Sequence, residues 1–407
     1  MSRRTLGLAV LALSATALTP ALSANAAPSQ AGLSHRNVKV CATAAAGEAT
    51  CNSIRHDTVS ADGKVQPNAA TPSGLGPTQL RTAYGLTTLQ GTPTSPHPIV
   101  AIVDAYDDPN AASDLATYRS TYGLPAIGNC AVGTGQLCFQ KVSQTGTSSY
   151  PRANGGWAQE ISLDLDMVSA ACEECSILLV EASSASFANL AAAEVTAGTL
   201  GAKVISNSYG GSESTGSSSS YDIPGVAITA STGDSGQVAA QSPASYPSVI
   251  AVGGTSLNAT NPKSESAWSG AGSFCSTAFA YTPGQQAYAT TETAACGTKR
   301  GAADISSVAD PNTGVAVYDS YAYQGVKGWL VFGGTSASSP FVGAVIALSG
   351  KSATYAHVGG SPLYGNASSF SDVLTGSNGS CTTSLCNAGF GWDGPTGLGS
   401  VNGTAGL

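Results

Sequence analysis

The sequence predicts an α/β protein built on a parallel sheet with helices on both faces, and two observations carry this. Short continuous apolar runs such as IVAIVDA (99–105) and SILLVEA (176–182) have the make-up of strands buried on both sides. These runs alternate with helical stretches, the pattern of strand-helix-strand units.

The elements follow in order. Strand 99–105 leads to a helix over about 111–122, and a second helix spans 157–171 before strand 176–182. A helix over 188–199 precedes KVISNSY from Lys203, GVAITAS from Gly225 and VIAVGGTSL from Val249, all strand-like. VAVYD from Val315 is a further strand, and a helix starting at Ser338 or Pro340 runs to about Leu348. Residues 27–77 are rich in Ser, Ala, Gly, Thr and Pro with little periodicity, which predicts a short, loosely ordered N-terminal or propeptide-like extension ahead of a single domain over 78–407.

Composition narrows the function classes. Only 10% of residues are charged and the formal net charge is −8, with Lys and Arg totalling 16, so no basic surface for nucleic acid is expected. Sparse charge also limits cation self-repulsion when carboxylates protonate, a composition that tolerates acid. Residues 1–26 carry Arg3 and Arg4, an apolar run over 6–18 and Ala24-Asn25-Ala26, the layout of a cleaved export signal. That run is too short for a membrane anchor, so the expectation is a secreted, extracellular protein. Ten cysteines fall into five local pairs, Cys41 with Cys51, Cys130 with Cys138, Cys172 with Cys175, Cys275 with Cys296 and Cys381 with Cys386. Such an even set fits disulfides formed in an oxidising compartment.

Three short segments carry chemistry. GGTSASSP (333–340) sets Ser336 ahead of Pro340, a residue suited to a first helical turn. Backbone N–H groups at a helix N-terminus favour an oxyanion beside the serine. A serine nucleophile needs a base. The four histidines, His35, His56, His97 and His357, stand in the leader or in loop-like contexts, which argues against a Ser-His-Asp arrangement. WAQEISLDLDM (157–167) instead offers Glu160 and Asp164, four apart on one helical face, close enough for two carboxylates to share a proton. Asp166 points away from that face. STGDSG (231–236) sets Asp234 at the carboxyl end of a buried strand, where a protonated carboxyl donates to a developing oxyanion; a turn-forming Asp is the plainer alternative. Asp104, at the end of strand 99–105, is a lesser candidate for the same acid network.

Taken in chain order, Glu160, Asp164, Asp234 and Ser336 resemble the sedolisin family of serine-carboxyl peptidases over roughly residues 75–400. YPSVIAVGGTSL (246–257), ADPNTG (309–314), SDVLTG (371–376) and GFGWDGPTGLGS (389–400) carry the same resemblance. It implies a subtilisin-like fold and an endopeptidase active in acid, acting on proteins or peptides as a monomer. Ser336 attacks the carbonyl, Glu160 takes its proton, Asp164 orients Glu160 and Asp234 completes the oxyanion hole. It also implies one structural Ca2+ ion, held by the carboxylates of Asp372 and Asp393 and the carbonyls of Val373, Gly389 and Gly391, an oxygen-only set suited to a hard cation. The family's prosegments are much longer than the stretch between Ala26 and the matching region, so maturation differs here or the leader is vestigial. The competing expectations are an inactive, peptide- or wall-binding homologue and a peptidase of the Ser-His-Asp type.

Overall fold

The computed structural model describes residues 1, 33–65, 71–91, 96–260, 263–288 and 293–407, so the expected export signal lies outside the described residues apart from Met1. In chain order come β1 (Ser34–Lys39), β2 (Thr50–Cys51), β3 (Ile54–Val59), α1 (Pro77–Ala83), β4 (Ile99–Ala105), α2 (Ala111–Thr121), β5 (Gly128–Asn129) and β6 (Cys138–Ser143). α3 (Gly155–Ala171), β7 (Ser176–Ala182), α4 (Phe187–Thr199), β8 (Val204–Asn207), β9 (Tyr209–Ser212), β10 (Ala227–Ser231) and β11 (Gln241–Ser242) follow. The last part holds β12 (Ile250–Asn258), β13 (Ser264–Ala267), β14 (Phe274–Ala280), α5 (Pro283–Tyr288), β15 (Lys299–Ala302), β16 (Ile305–Val308), β17 (Val315–Tyr323), β18 (Val326–Gly333) and α6 (Thr335–Ser349).

The main sheet has the order β13-β12-β10-β8-β4-β7-β6-β5, with β16 also paired to β12. All its pairs are parallel except β12 with β13. Every residue of β4, β7, β8 and β10 is buried, as continuous apolar runs require when helices cover both faces. α3 and α6 pack on each other and on the sheet, while α4 packs on β7 and β4 from the other side. This is the subtilisin-like α/β architecture the sequence predicts, in one domain. The chain leaves β4 for β7 on one side, and β8 lies on the other, so a crevice opens at the carboxyl ends of these strands, where open α/β sheets bind ligands.

Two expectations need correction. Over residues 33–65 the extension is not loosely ordered: β1 and β3 pair antiparallel, and β3 pairs with β18 to give a four-stranded sheet of order β1-β3-β18-β17. What low periodicity concealed is that β3 reads IRHDTV, with its buried positions including Arg55 and Asp57, which satisfy each other at 2.6 Å. Secondly, α6 begins at Thr335 rather than at Ser338 or Pro340, leaving Pro340 inside it. Proline has no N–H to give the carbonyl four residues back. That carbonyl belongs to Ser336, and the Ser208 hydroxyl oxygen lies 3.5 Å from it. KVISNSY also divides at Ser208, with its second half, β9, joining a separate sheet of order β11-β9-β2. All five cysteine pairs close as local disulfides.

Candidate functional site

α3 brings the carboxylates into the crevice. Its N-cap Asn154 accepts from the Gly156 and Trp157 N–H groups, fixing where the helix starts. The helix is buried from Gly156 to Ala171, so Glu160 and Asp164 sit fully enclosed instead of on a solvated face. Asp166, on the far side, accepts from the Tyr318 N–H at 2.9 Å, as a bystander would.

α6 brings the serine to meet them. Ser336 is buried in the first turn, and its Oγ donates to the Ser208 carbonyl at 3.1 Å. The Glu160 carboxyl faces the Ser336 and Ser53 hydroxyls and the Asp164 carboxyl, and none of these approaches closes into a hydrogen bond of good geometry. Asp164 Oδ1 accepts from the Ser208 hydroxyl at 2.8 Å, so Ser208 ties the carboxylate pair to the serine's own turn. Asp104, at the end of β4, is buried with both oxygens unpartnered and acts electrostatically on both Glu160 and Asp164. The structure therefore brings Ser336, Glu160, Asp164 and Asp104 into one cluster.

Asp234 closes the other side. Its Oδ1 accepts from the Thr335 N–H at 2.8 Å and the Thr335 hydroxyl at 2.9 Å, while Oδ2 is buried without a partner. Gly334 holds φ at 98°, and a Cβ there would stand 2.5 Å from Asp234 Oδ2 and 2.2 Å from the Asn52 carbonyl oxygen. Only glycine fits this hollow. The Asn52 oxygen also accepts from the Ser336 N–H at 3.0 Å. A backbone carbonyl of the N-terminal segment thus lies between the serine's amide and the free oxygen of Asp234.

The same segment fills the crevice. Thr50 and Cys51 pair antiparallel with Gly210 and Tyr209, the Asn52 N–H donates to the Ser208 carbonyl at 3.0 Å, and Ile54 and Arg55 pair with Gly333 and Phe332. The space beside Asp234, bounded by Lys39, Thr50, Asn52 and Gln241, measures about 170 Å³. A larger cavity of about 790 Å³, lined by His35, Leu75 and Thr313 among others, is not part of this cluster. Asn52, Ser53 and Ser208 are site residues that sequence reasoning missed; Ser53 and Ser208 are single serines in a serine-rich chain, and nothing in Cys51-Asn52-Ser53 marks a ligand-like strand.

No histidine enters the cluster among the described residues. His35 stacks on His56 at 4.7 Å, His97 contacts the Glu174 carbonyl at 2.8 Å, and His357 lies 2.6 Å from Asp222.

Electrostatics follow burial. Loss of water pushes Asp234 up to about 7 and raises Glu160, while Asp104 rises well above the carboxylate range through burial and then the charges of Glu160 and Glu181, and Asp164 through burial and then those of Asp104 and Glu160. Outside the cluster, burial likewise lifts Asp108 to about 7, Asp319 to about 8 and Glu181 to about 9. Each of these folded-state values exceeds that of an unfolded carboxylate, about 4. The native state therefore binds more protons than the unfolded chain, and this stability is fully present below about pH 4 and lost as pH rises through about 7 to 9. We expect the melting temperature to be highest in acid and to fall by roughly ten degrees or more towards pH ~8 in thermal scans. A profile rising from acid to neutral pH contradicts this.

The C-terminal loop holds the expected calcium ligands close together. Asp393 is buried and lifted to about 8 by burial, hydrogen bonds from Thr396 and Gly389 pulling it down and the Asp372 charge pushing it up. Gly391 N–H donates to Asp372 at 3.0 Å and Gly389 N–H to Asp393 at 3.3 Å, while Val373 is buried beside them. The Asp372 and Asp393 charges repel each other, and neighbouring carboxylates are the oxygen donors a hard cation takes. A separate buried trio, Asp108, Asp114 and Asp319, also gathers its oxygens within 4.8 Å.

Comparison with known proteins agrees with the fold. No family model and no curated protein matches the chain. Among solved structures, it is similar to Pseudomonas sedolisin, a serine-carboxyl proteinase complexed with two molecules of pseudo-iodotyrostatin, at 26% identity and a TM-score of 0.65, over 82% of this chain and 96% of that one. A lanthipeptide protease matches at 14% identity and a TM-score of 0.49, over 80% and 91% of the two chains. Fervidolysin from Fervidobacterium pennivorans, a keratinolytic enzyme related to subtilisin, matches at 16% and 0.46, over 85% and 51%.

Proposed function

We propose that this chain, which is similar to Pseudomonas sedolisin, is a serine-carboxyl peptidase of the sedolisin kind, an exported endopeptidase that hydrolyses peptide bonds in acid through Ser336, Glu160 and Asp164. The observation that carries this reading is the meeting of the Ser336 hydroxyl with the Glu160 carboxyl beside a peptide carbonyl bonded to the Ser336 N–H. Ser336 Oγ attacks the carbonyl carbon while Glu160 takes its proton, and Asp164, held by Ser208, orients Glu160. Asp234, kept protonated, adds its Oδ2 as the second donor to the oxyanion. Water then releases the acyl group from Ser336.

Asp104 extends the acid network behind Asp164 and sets its charge state without touching the reacting atoms. Export is supported by the leader sequence and the five disulfides, and no helix among the described residues is long and apolar enough to cross a membrane. Proteins and peptides are the partners this chemistry serves, and the chain acts as a monomer.

Asp372, Asp393 and the carbonyls of Val373, Gly389 and Gly391 hold one Ca2+ ion in this reading. The ion neutralises the paired carboxylates and ties residues 371–376 to 389–400; it takes no part in bond cleavage. Chelation is expected to lower the melting temperature by roughly five degrees or more, with recovery on adding Ca2+ but not K+. Asp393→Asn has the lower melting temperature from the outset and no response to chelator. An unchanged melting curve removes the ion from the account.

The function itself is tested by incubating the secreted protein with casein at about pH 4 and sequencing the products. Internal cuts are expected; release of N-terminal tripeptides alone, or no products, argues against an endopeptidase.

A further inference from the structure

The crevice already contains a peptide. We infer that the Asn52–Ser53 bond is a substrate bond of this chain's own site, and that the pocket receiving the Asn52 side chain makes the enzyme selective for asparagine on the acyl side of the cut. The inference rests on the peptidase reading above and names its substrate class.

The backbone of residues 50–55 is held on both sides of that bond. On the acyl side Thr50 and Cys51 pair with β9, and the Asn52 N–H donates to the Ser208 carbonyl, the same oxygen that receives the Ser336 hydroxyl. On the amine side Ile54 and Arg55 pair with the end of β18, and the buried Arg55 guanidinium donates to Gln159 Oε1 at 2.8 Å, one residue before Glu160. Strand addition on both sides is how extended peptides are recognised by a sheet edge. Between the two pairings the Asn52 carbonyl oxygen accepts from Ser336 N–H and shares the Gly334 hollow with the unpartnered Asp234 Oδ2. No other feature accounts for a buried carboxyl oxygen left without a partner opposite a peptide carbonyl.

The side-chain pocket is polar and small. Asn52 is 5% exposed, and its Nδ2 donates to the Ser231 hydroxyl at 2.8 Å. Ser231 ends β10 and is 1% exposed. Gly210 forms the adjacent wall: a Cβ there would stand 3.5 Å from Asn52 Nδ2 and 2.6 Å from Gln241 Oε1. An alkyl side chain in this position leaves the Ser231 hydroxyl buried and unsatisfied, and a large ring meets Gln241. An amide of asparagine size satisfies both limits.

The cut follows with atoms in balance. Ser336 Oγ bonds to the Asn52 carbonyl carbon, its proton passes to Glu160, and the carbon–nitrogen bond to Ser53 breaks as that proton moves to the new Ser53 amine. Water then hydrolyses the Asn52 ester, leaving an Asn52 carboxyl and free Ser336. Cys41 and Cys51 both lie before the cut, so their disulfide shapes the acyl-side piece without joining it to the rest. That piece then has no covalent link to the rest among these disulfides, and stays paired through β1–β3 and β2–β9, with β1 largely exposed.

The full-length chain, held in acid, is followed by N-terminal sequencing and mass spectrometry, beside Ser336→Ala, Asn52→Leu and Ser231→Ala. A mixed peptide library is digested in parallel by each. A new N-terminus at Ser53 in the wild type, absent from Ser336→Ala and slowed about tenfold or more in Asn52→Leu, supports the inference. So does a library preference for Asn over Leu of about the same size that Ser231→Ala reduces by loss of Asn cleavage while Leu cleavage holds. Ser336-dependent hydrolysis with no Asn preference, or with Asn52→Leu processed at the wild-type rate, overturns the inference and leaves the peptidase reading standing. Absence of any Ser336-dependent hydrolysis overturns that reading itself.

Discussion

Ser336→Ala is expected to lower turnover of casein in acid by roughly 10⁴- to 10⁶-fold while leaving the fold intact. The size follows from the site's construction: the carboxylates, the Ser336 N–H and Asp234 all act on bonds made or broken at Oγ, so removing that atom silences them together. The structural cost is small, because Oγ makes one neutral hydrogen bond, to the Ser208 carbonyl, of about 1 kcal/mol. The variant's melting curve should therefore overlay the wild type's within a few degrees. Retained activity in a correctly folded variant removes Ser336 as nucleophile.

Glu160→Gln has the second largest effect, a loss of about 10²- to 10⁴-fold in kcat. The amide keeps the shape and cannot take the serine's proton. Its folding cost is negligible or reversed, since both Glu160 oxygens are buried without a well-formed hydrogen bond and burial disfavours the charged carboxylate. The variant should thus be as stable as the wild type, or more stable above neutral pH, while inactive. The measurement is kcat across pH beside thermal scans of the same samples. Loss of activity that tracks loss of fold would make Glu160 a structural residue.

Much of this was readable from residues alone because burial leaves a direct trace in sequence. IVAIVDA, SILLVEA and GVAITAS are apolar without alternation, so their place in a covered parallel sheet followed. The spacing of Glu160 and Asp164 is a local property, and the structure keeps it. What could not be read depends on contacts between distant segments. Ser208 joins Asp164 to Ser336 from a bend between two strands, and Asn52 reaches the Gly334 hollow from 282 positions away. The order of β3 rests on pairing with β18 and on an Arg55–Asp57 ion pair inside the protein, which a polar segment's composition conceals. The early start of α6 was hidden by Pro340, whose missing N–H costs the helix its bond to the Ser336 carbonyl without ending the helix.

The central claim is that Ser336 works with carboxylates and not with a histidine, and the pH dependence of Ser336-dependent peptide hydrolysis tests it most directly. The reactive state has Asp234 protonated, with its Oδ2 free to donate to the oxyanion. Asp234, lifted to about 7 by burial, loses its proton as pH rises through that value, and the Asp234 carboxylate then repels the oxyanion. Measured as kcat/KM between about pH 3 and 9, hydrolysis should be greatest in acid and fall away above about 7, unaffected by His97→Ala or His357→Ala. A rate that climbs through neutral pH, and that either histidine substitution abolishes, contradicts the account.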